Sequence, residues 1–166
     1  MSKLKGAKRL QKTINNFTKT FGVTAKWGKE FEAIPATNTI HFTVLVDTDV
    51  LNHFVDNAEM RYPEVYAHPF LWLLMHEIGH LMTCNLFSVE EQQRFLDMKD
   101  NINEFAGYYY PTVCEWYQIL PDEYMATRWA GEYMLKHPKK IKKFCNKLNK
   151  EMLIFFKKNE ITPEEE

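Results

Sequence analysis

Residues 70–83 constrain the fold more than any other part of the chain, because they are apolar on nearly every side of a helix. The segment begins Phe-Leu-Trp-Leu-Leu-Met, and Pro69 precedes it at a position that suits the first turn of a helix. A helix that is hydrophobic all round belongs in the middle of a protein core. The segment therefore predicts a central buried helix around which the rest of the chain packs.

Three ionisable residues, His76, Glu77 and His80, interrupt this apolar segment as His-Glu-Ile-Gly-His, a match to H-E-x-x-H. Histidines four residues apart on a helix have Cβ atoms about 5–6 Å apart on one face, so both imidazoles can reach one metal ion. Burying three ionisable groups is costly without a partner, and a metal ion supplies that partner. The motif predicts that His76 and His80 bind Zn²⁺, with Glu77 beside the ion.

A third ligand must come from another part of the chain. We favour Glu123, because it shares one face of a predicted helix over 121–136 with Ala126 and Ala130. Small residues on that face, and Gly79 on the motif helix, would let the two helices approach closely. Asp122 and Glu115 are the next alternatives, and the full set of downstream candidates is Asp97, Glu104, Glu115, Asp122, Glu123 and His137.

Together these elements resemble the gluzincin class of zinc metallopeptidases, and in particular the small intracellular ImmA/IrrE-like peptidases of phages and mobile elements. In that class the second element typically reads Glu-x-x-Ala-Asp/Asn-x-x-Ala; here Thr127 stands where the acidic or amide residue is usual. The resemblance covers residues 38–136. It implies that His76, His80 and Glu123 are the zinc ligands and that Glu77 is the catalytic base.

The resemblance also implies a zincin-like fold and an activity, zinc metalloendopeptidase. A zinc-bound water would hydrolyse peptide bonds of a peptide or protein substrate, with Glu77 as general base. Residues 39–46 would be the edge strand that receives the substrate. An oxyanion donor is needed as well, and the candidates are Tyr108, Tyr109, Tyr110, Tyr133, His41 and His137. The alternative function is a non-catalytic zinc-binding regulatory or interaction domain.

The rest of the pattern predicts a mostly helical α+β domain with a small sheet, spanning residues 1–166 with a core over 38–136. Alternating apolar residues over 39–46 predict a half-buried strand, and Ser88 with Glu91 predicts a capping box. An aromatic-rich stretch occupies 103–120. The other predicted elements are a helix over 4–21 ending at Gly22, a short strand over 23–27, and helices over 50–58, 121–136 and 139–158.

Charge is distributed unevenly along the chain, although the net charge is only −1. Residues 1–29 hold eight basic residues and no acid, and 136–158 hold nine lysines and one acid, whereas 30–135 hold four basic and seventeen acidic residues. We expect the two lysine-rich segments to be solvated faces of flanking helices. The nearly neutral total argues against a nucleic-acid partner.

The cysteines indicate a reducing compartment. Cys84, Cys114 and Cys145 are odd in number and have no C-x-x-C spacing, which fits free thiols better than disulfides. No apolar run approaches the roughly 20 residues of a membrane-spanning helix, and the first residues lack a signal-peptide core. We therefore expect a cytoplasmic protein without a membrane partner.

Overall fold

The computed structural model describes residues 4–46, 48–105 and 110–161. Within them the chain forms a mostly helical α+β fold with one small sheet, which confirms the predicted fold class. In chain order the elements are α1 (Ala7–Thr18), β1 (Thr24–Trp27), β2 (Glu32–Ile34), β3 (Thr39–Phe42), α2 (Thr48–Arg61), α3 (Pro69–Thr83), α4 (Val89–Asn103), α5 (Tyr110–Gln118), α6 (Pro121–Lys136) and α7 (Pro138–Asn159).

Helix α3 is the central helix that the apolar segment predicts. Trp72, Met75 and Ile78 are completely buried within the core. The helix starts at Pro69, and the backbone N–H of Phe70 donates to Nδ1 of His68 at 3.1 Å, which caps the first turn. It packs along α6 and also contacts α2 and β2, so it lies at the centre of the fold.

The contact between α3 and α6 is made through small residues, as the sequence predicts. A Cβ atom added at Gly79 would overlap the carbonyl of Ala126 and lie 2.9 Å from its Cα. Ala126 and Ala130 are fully buried on the facing side of α6. The backbones of the two helices therefore meet directly, which brings the first turn of α6 to the histidines of α3.

The sheet corrects one expectation about the strand at 39–46. Its strand order is β1-β3-β2, so β3 is the central strand and not the edge strand predicted to receive a substrate. β3 pairs in parallel with β1 and antiparallel with β2, with Ile40 opposite both Ala25 and Ala33. β2 is an edge strand on the side of α3, and no pattern in the sequence predicts it.

Strand β3 is also shorter than the strand predicted over 39–46. β3 ends at Phe42, because β1 ends at its register partner Trp27 and β2 pairs only with Thr39, Ile40 and His41. Beyond Phe42 no neighbouring strand in the described residues offers hydrogen-bond partners. Alternation of apolar residues alone therefore overestimates the strand by four residues.

Helices α1 and α7 pack antiparallel at the side of the fold. Phe17 near the end of α1 stacks on Phe144 near the start of α7, with ring centroids 3.8 Å apart. At the other end, the side chain of Asn159 donates to the carbonyl of Lys5 at 2.9 Å. Leu10 and Leu148 are buried in the common core, so these helices complete the core predicted for 38–136.

The remaining local predictions are confirmed with small changes of length. Gly22 ends the first helical segment with φ +75°, a backbone conformation that glycine adopts without strain. Ser88 and Glu91 form the predicted capping box at the start of α4. In the part of the chain that the structure describes, no helix combines the length and apolarity needed to cross a membrane.

Candidate metal centre

Helices α3 and α6 bring three potential metal ligands together. Nε2 of His76 lies 3.1 Å from Nε2 of His80, as their four-residue spacing on α3 predicts. Glu123, in the first turn of α6, places Oε2 2.9 Å from Nε2 of His76 and Oε1 3.4 Å from Nε2 of His80. The two nitrogens and the carboxylate therefore converge on one point.

We call His76, His80 and Glu123 the ligand group, since together they could hold a metal ion. One ligand atom from each of His76, His80 and Glu123 lies within 4.8 Å of the others, and the side chains of His76 and Glu123 are buried. His80 is partly accessible, with 18% of its side chain exposed. Within the described ranges no other group of histidine, cysteine and acidic side chains has this geometry.

Thr127 orients the His76 ring. Its hydroxyl oxygen lies 3.0 Å from Nδ1 of His76, with both groups buried. A proton on Nδ1 would be donated to this hydroxyl, leaving the Nε2 lone pair directed at the ligand group. The Thr127 hydroxyl therefore supports the ring of a potential metal ligand from the side opposite Nε2.

Lys99 of α4 contacts the same carboxylate. Its Nζ lies 2.5 Å from Oε1 of Glu123 and 2.5 Å from Oδ2 of Asp122. Only 13% of the Lys99 side chain is exposed. Lys99 therefore connects α4 to the first turn of α6 and supplies a positive charge beside Glu123.

These contacts shift the protonation equilibria of the site. Burial alone would raise the pKa of Glu123, but His80 and His76 hold that pKa well below its usual value. Burial lowers the pKa of His80, whereas Glu123 raises it, and the net direction is upward. Burial lowers the pKa of Lys99 as well, but Glu123, Tyr117 and Asp122 together raise it above its usual value. Glu123 is therefore a carboxylate in a locally cationic setting.

The ligand group opens into a cleft of about 800 Å³. Its lining includes the loop and edge strand around Glu32, one face of α4, and α5. Glu77 lines this cleft beside the histidines and is 8% exposed. A ligand in the cleft would therefore meet the ligand group and the Glu77 carboxylate together.

The other candidate ligands lie elsewhere. Asp122 is next to the site but is bonded to Lys99 rather than directed at the histidines. Asp97, Glu104, Glu115 and His137 are exposed. Of the candidates that the sequence left open, the structure brings only Glu123 to His76 and His80.

The proposed oxyanion donors do not line the cleft where the structure describes them. Tyr133 packs on Phe21 and on the ring of His137, and His41 lies 3.4 Å from Glu32 on the sheet. Tyr108 and Tyr109 lie outside the described residues, as does the side chain of Tyr110.

Tyr117 and Lys99 line the cleft instead, and sequence reasoning missed both. Burial, followed by the negative charge of Glu123, raises the pKa of Tyr117, so its hydroxyl stays protonated. The Lys99 ammonium lies 5.3 Å from the centre of the Tyr117 ring. One signal was present in the sequence: Lys99 is the only basic residue between Arg94 and Arg128.

Comparisons with known proteins add no relative. No protein-family model matches the chain, and neither the curated proteins nor the solved structures include a match.

Proposed function

We propose that this protein is a zinc-dependent metallopeptidase that hydrolyses peptide bonds in the cleft between β2 and α4. The observation that carries the proposal is the convergence of His76, His80 and Glu123 at the floor of a cleft that Glu77 also lines. Two imidazoles and one carboxylate with an accessible fourth side are typical of catalytic rather than structural zinc sites.

The distances support zinc as the metal. Zinc bound at about 2.0–2.1 Å in tetrahedral geometry places neighbouring ligand atoms about 3.3 Å apart. The two Nε2 atoms lie 3.1 Å apart, Oε2 of Glu123 lies 2.9 Å from His76 and Oε1 lies 3.4 Å from His80, so both carboxylate oxygens face the histidines at similar distances. An imidazole-rich site also suits zinc better than magnesium or calcium, which prefer oxygen ligands.

Glu77 is the proposed general base. Zinc, when bound, polarises the scissile carbonyl and makes water more acidic. The Glu77 carboxylate accepts a proton from the attacking water and then delivers it to the leaving amine. Its position next to His76 in the sequence keeps it at the ligand group without making it a ligand.

Edge strand β2 is the proposed binding site for the substrate. It pairs with β3 along one side only, and Glu32 and Ala33 line the cleft. An extended peptide can add to such an edge by main-chain hydrogen bonds, with its next residues passing over the ligand group. This assigns to β2 the role that the sequence had predicted for the strand at 39–46.

Tyr117 is the proposed donor to the developing oxyanion. Its raised pKa keeps the phenol protonated, and Tyr117 lines the same cleft as the histidines and β2. A protonated hydroxyl can stabilise negative charge on the former carbonyl oxygen.

The test is digestion of a peptide library by the zinc-loaded protein and by its Glu77→Gln variant. We expect the wild type to cleave, and the variant to keep a full equivalent of zinc while losing at least a hundredfold in rate. A Glu59→Gln variant, which changes an exposed carboxylate on α2, should cleave normally. Zinc-loaded wild type that cleaves no peptide would favour the non-catalytic zinc-binding domain.

A further inference from the structure

The structure brings together two basic segments that are far apart in the sequence. Residues 4–21 and 138–159 contain thirteen lysines and arginines and one acid, Glu151. They form α1 and α7, which pack antiparallel at one side of the fold. The basic residues at the two ends of the sequence therefore lie on neighbouring helices in the structure.

On α7 the lysines form a continuous stripe. Lys139, Lys143, Lys147, Lys150 and Lys157 follow one another at intervals of four, four, three and seven residues, and all are exposed. These intervals keep them on one side of the helix. The buried residues of α7, among them Leu148 and Phe155, occupy the opposite side.

On α1 the cations also point away from the core. Lys8, Lys12 and Lys19 are exposed at helical spacing, and Lys5 precedes the helix on the same side. Arg9 donates to Oε1 of Glu151 on α7 at 2.8 Å, and the Arg9 side chain is 59% exposed. The pair therefore joins the two helices at the surface, between their lysines.

Among the described residues, Glu151 is the only acid that forms an ion pair with a cation of these two segments. It is the only acid in these two segments, and its carboxylate is already bonded to Arg9. Lys147 lies one helical turn before Glu151 on α7 and Lys150 directly precedes it, which places both near the junction of α1 and α7. We call the exposed cations Lys5, Lys8, Lys12, Lys19, Lys139, Lys143, Lys147, Lys150 and Lys157 the basic face.

We propose that the basic face binds the phosphate backbone of double-stranded DNA without reading its sequence. The α7 stripe spans 18 residues, about 27 Å of helix, which matches about eight base pairs of duplex. A duplex offers one negative charge per about 1.7 Å of axis, a density that a stripe of lysines can neutralise. The proposal does not depend on the metal centre.

Among polyanions, the exposed residues favour a nucleic acid over a membrane. Leu153 is the only large apolar residue of α7 that is clearly exposed. A helix that lies on lipid buries a whole apolar face in the bilayer, and here that face is already in the protein core. The local density of cations, rather than the net charge, decides binding to phosphates, so this placement revises the expectation drawn from the total charge.

The experiment is a titration of the full-length protein into a fluorescein-labelled 20-base-pair DNA duplex, read by fluorescence anisotropy from 50 to 200 mM salt. We expect binding at 50 mM salt and a log–log salt slope of about −4.5, since about five phosphates would be neutralised. The triple variant Lys143→Glu, Lys147→Glu, Lys150→Glu should lose at least about tenfold in affinity at 50 mM and reduce the slope by about three.

A matched control separates the basic face from total charge. Lys29→Glu, Arg94→Glu, Arg128→Glu reverses three exposed charges outside α1 and α7 and should keep affinity within about threefold. Circular dichroism and melting curves verify that both triple variants fold. No binding at 50 mM, equal losses in both variants, or binding to anionic phosphatidylserine vesicles without binding to the duplex would each overturn the proposal.

Discussion

Gly79 of α3 lies directly against the backbone of Ala126 on α6, close enough that no side chain fits between them. His80 follows Gly79, and Glu123 lies one helical turn before Ala126. The close approach of the two backbones is therefore also what sets the distance between the histidines and the carboxylate.

Gly79→Ala should destabilise the fold and weaken metal binding together. The added methyl group must push α6 away from α3, and overpacking of this kind costs about 1–3 kcal/mol. Denaturant unfolding and zinc titration against a chromophoric chelator measure the two effects. Gly131→Ala is the control, because its methyl group would meet the Tyr62 ring away from the ligands and should cost stability but leave zinc affinity unchanged.

Glu123→Gln should lower zinc affinity by at least about tenfold, because an amide oxygen is a poorer ligand than a carboxylate. Asp122→Asn, one residue away, should retain affinity within a few-fold, since Asp122 bonds Lys99 instead of facing the histidines. Zinc content after dialysis against a chelator distinguishes the two variants. If Asp122→Asn lost zinc and Glu123→Gln retained it, the third ligand would be Asp122.

Thr127→Val should reduce zinc affinity by about 10- to 100-fold through the orientation of His76. Valine has nearly the shape of threonine but offers no oxygen to Nδ1 of His76, which lies 3.0 Å away in the wild type. Thr127→Ser keeps the hydroxyl and should restore most of the affinity. Equal affinities of the valine and serine variants would show that the hydroxyl contributes nothing.

In the Glu151→Gln variant, the melting temperature should fall less between pH 6 and pH 3 than it does in the wild type. The hydrogen bond from Arg9 lowers the pKa of Glu151 in the folded state. A carboxylate with a lowered pKa stabilises the fold above its unfolded pKa of about 4.3, and this stabilisation is lost as the pH falls through the folded pKa. Melting temperatures between pH 3 and 6 test this, with Glu59→Gln as an exposed control that should follow the wild type.

The features that the sequence predicts well are those set by local periodicity. The position of α3 follows from its sequence, because a helix that is apolar on all sides must be buried in the core. The spacing of His76 and His80 follows from the geometry of the helix. The approach of Glu123 depends on tertiary packing, but the small residues Ala126 and Gly79 signalled it. These features need only the geometry of one helix, or of two helices in contact.

The features that were missed depend on contacts between distant segments. β2 has three residues, too few for an alternating pattern, and it becomes a strand because β3 pairs with it. The central position of β3 is a property of strand order, which its own residues do not encode. Lys99 reaches Glu123 only because α4 packs beside α6.

The contact between Lys99 and Glu123 has a consequence for how the protein folds in the absence of a metal ion. A buried carboxylate is costly without a partner of opposite charge, and Lys99 supplies that charge to Glu123 whether or not a metal ion is present. We therefore expect the fold to form without a metal ion, so that an ion would bind to a group of side chains that is already in place.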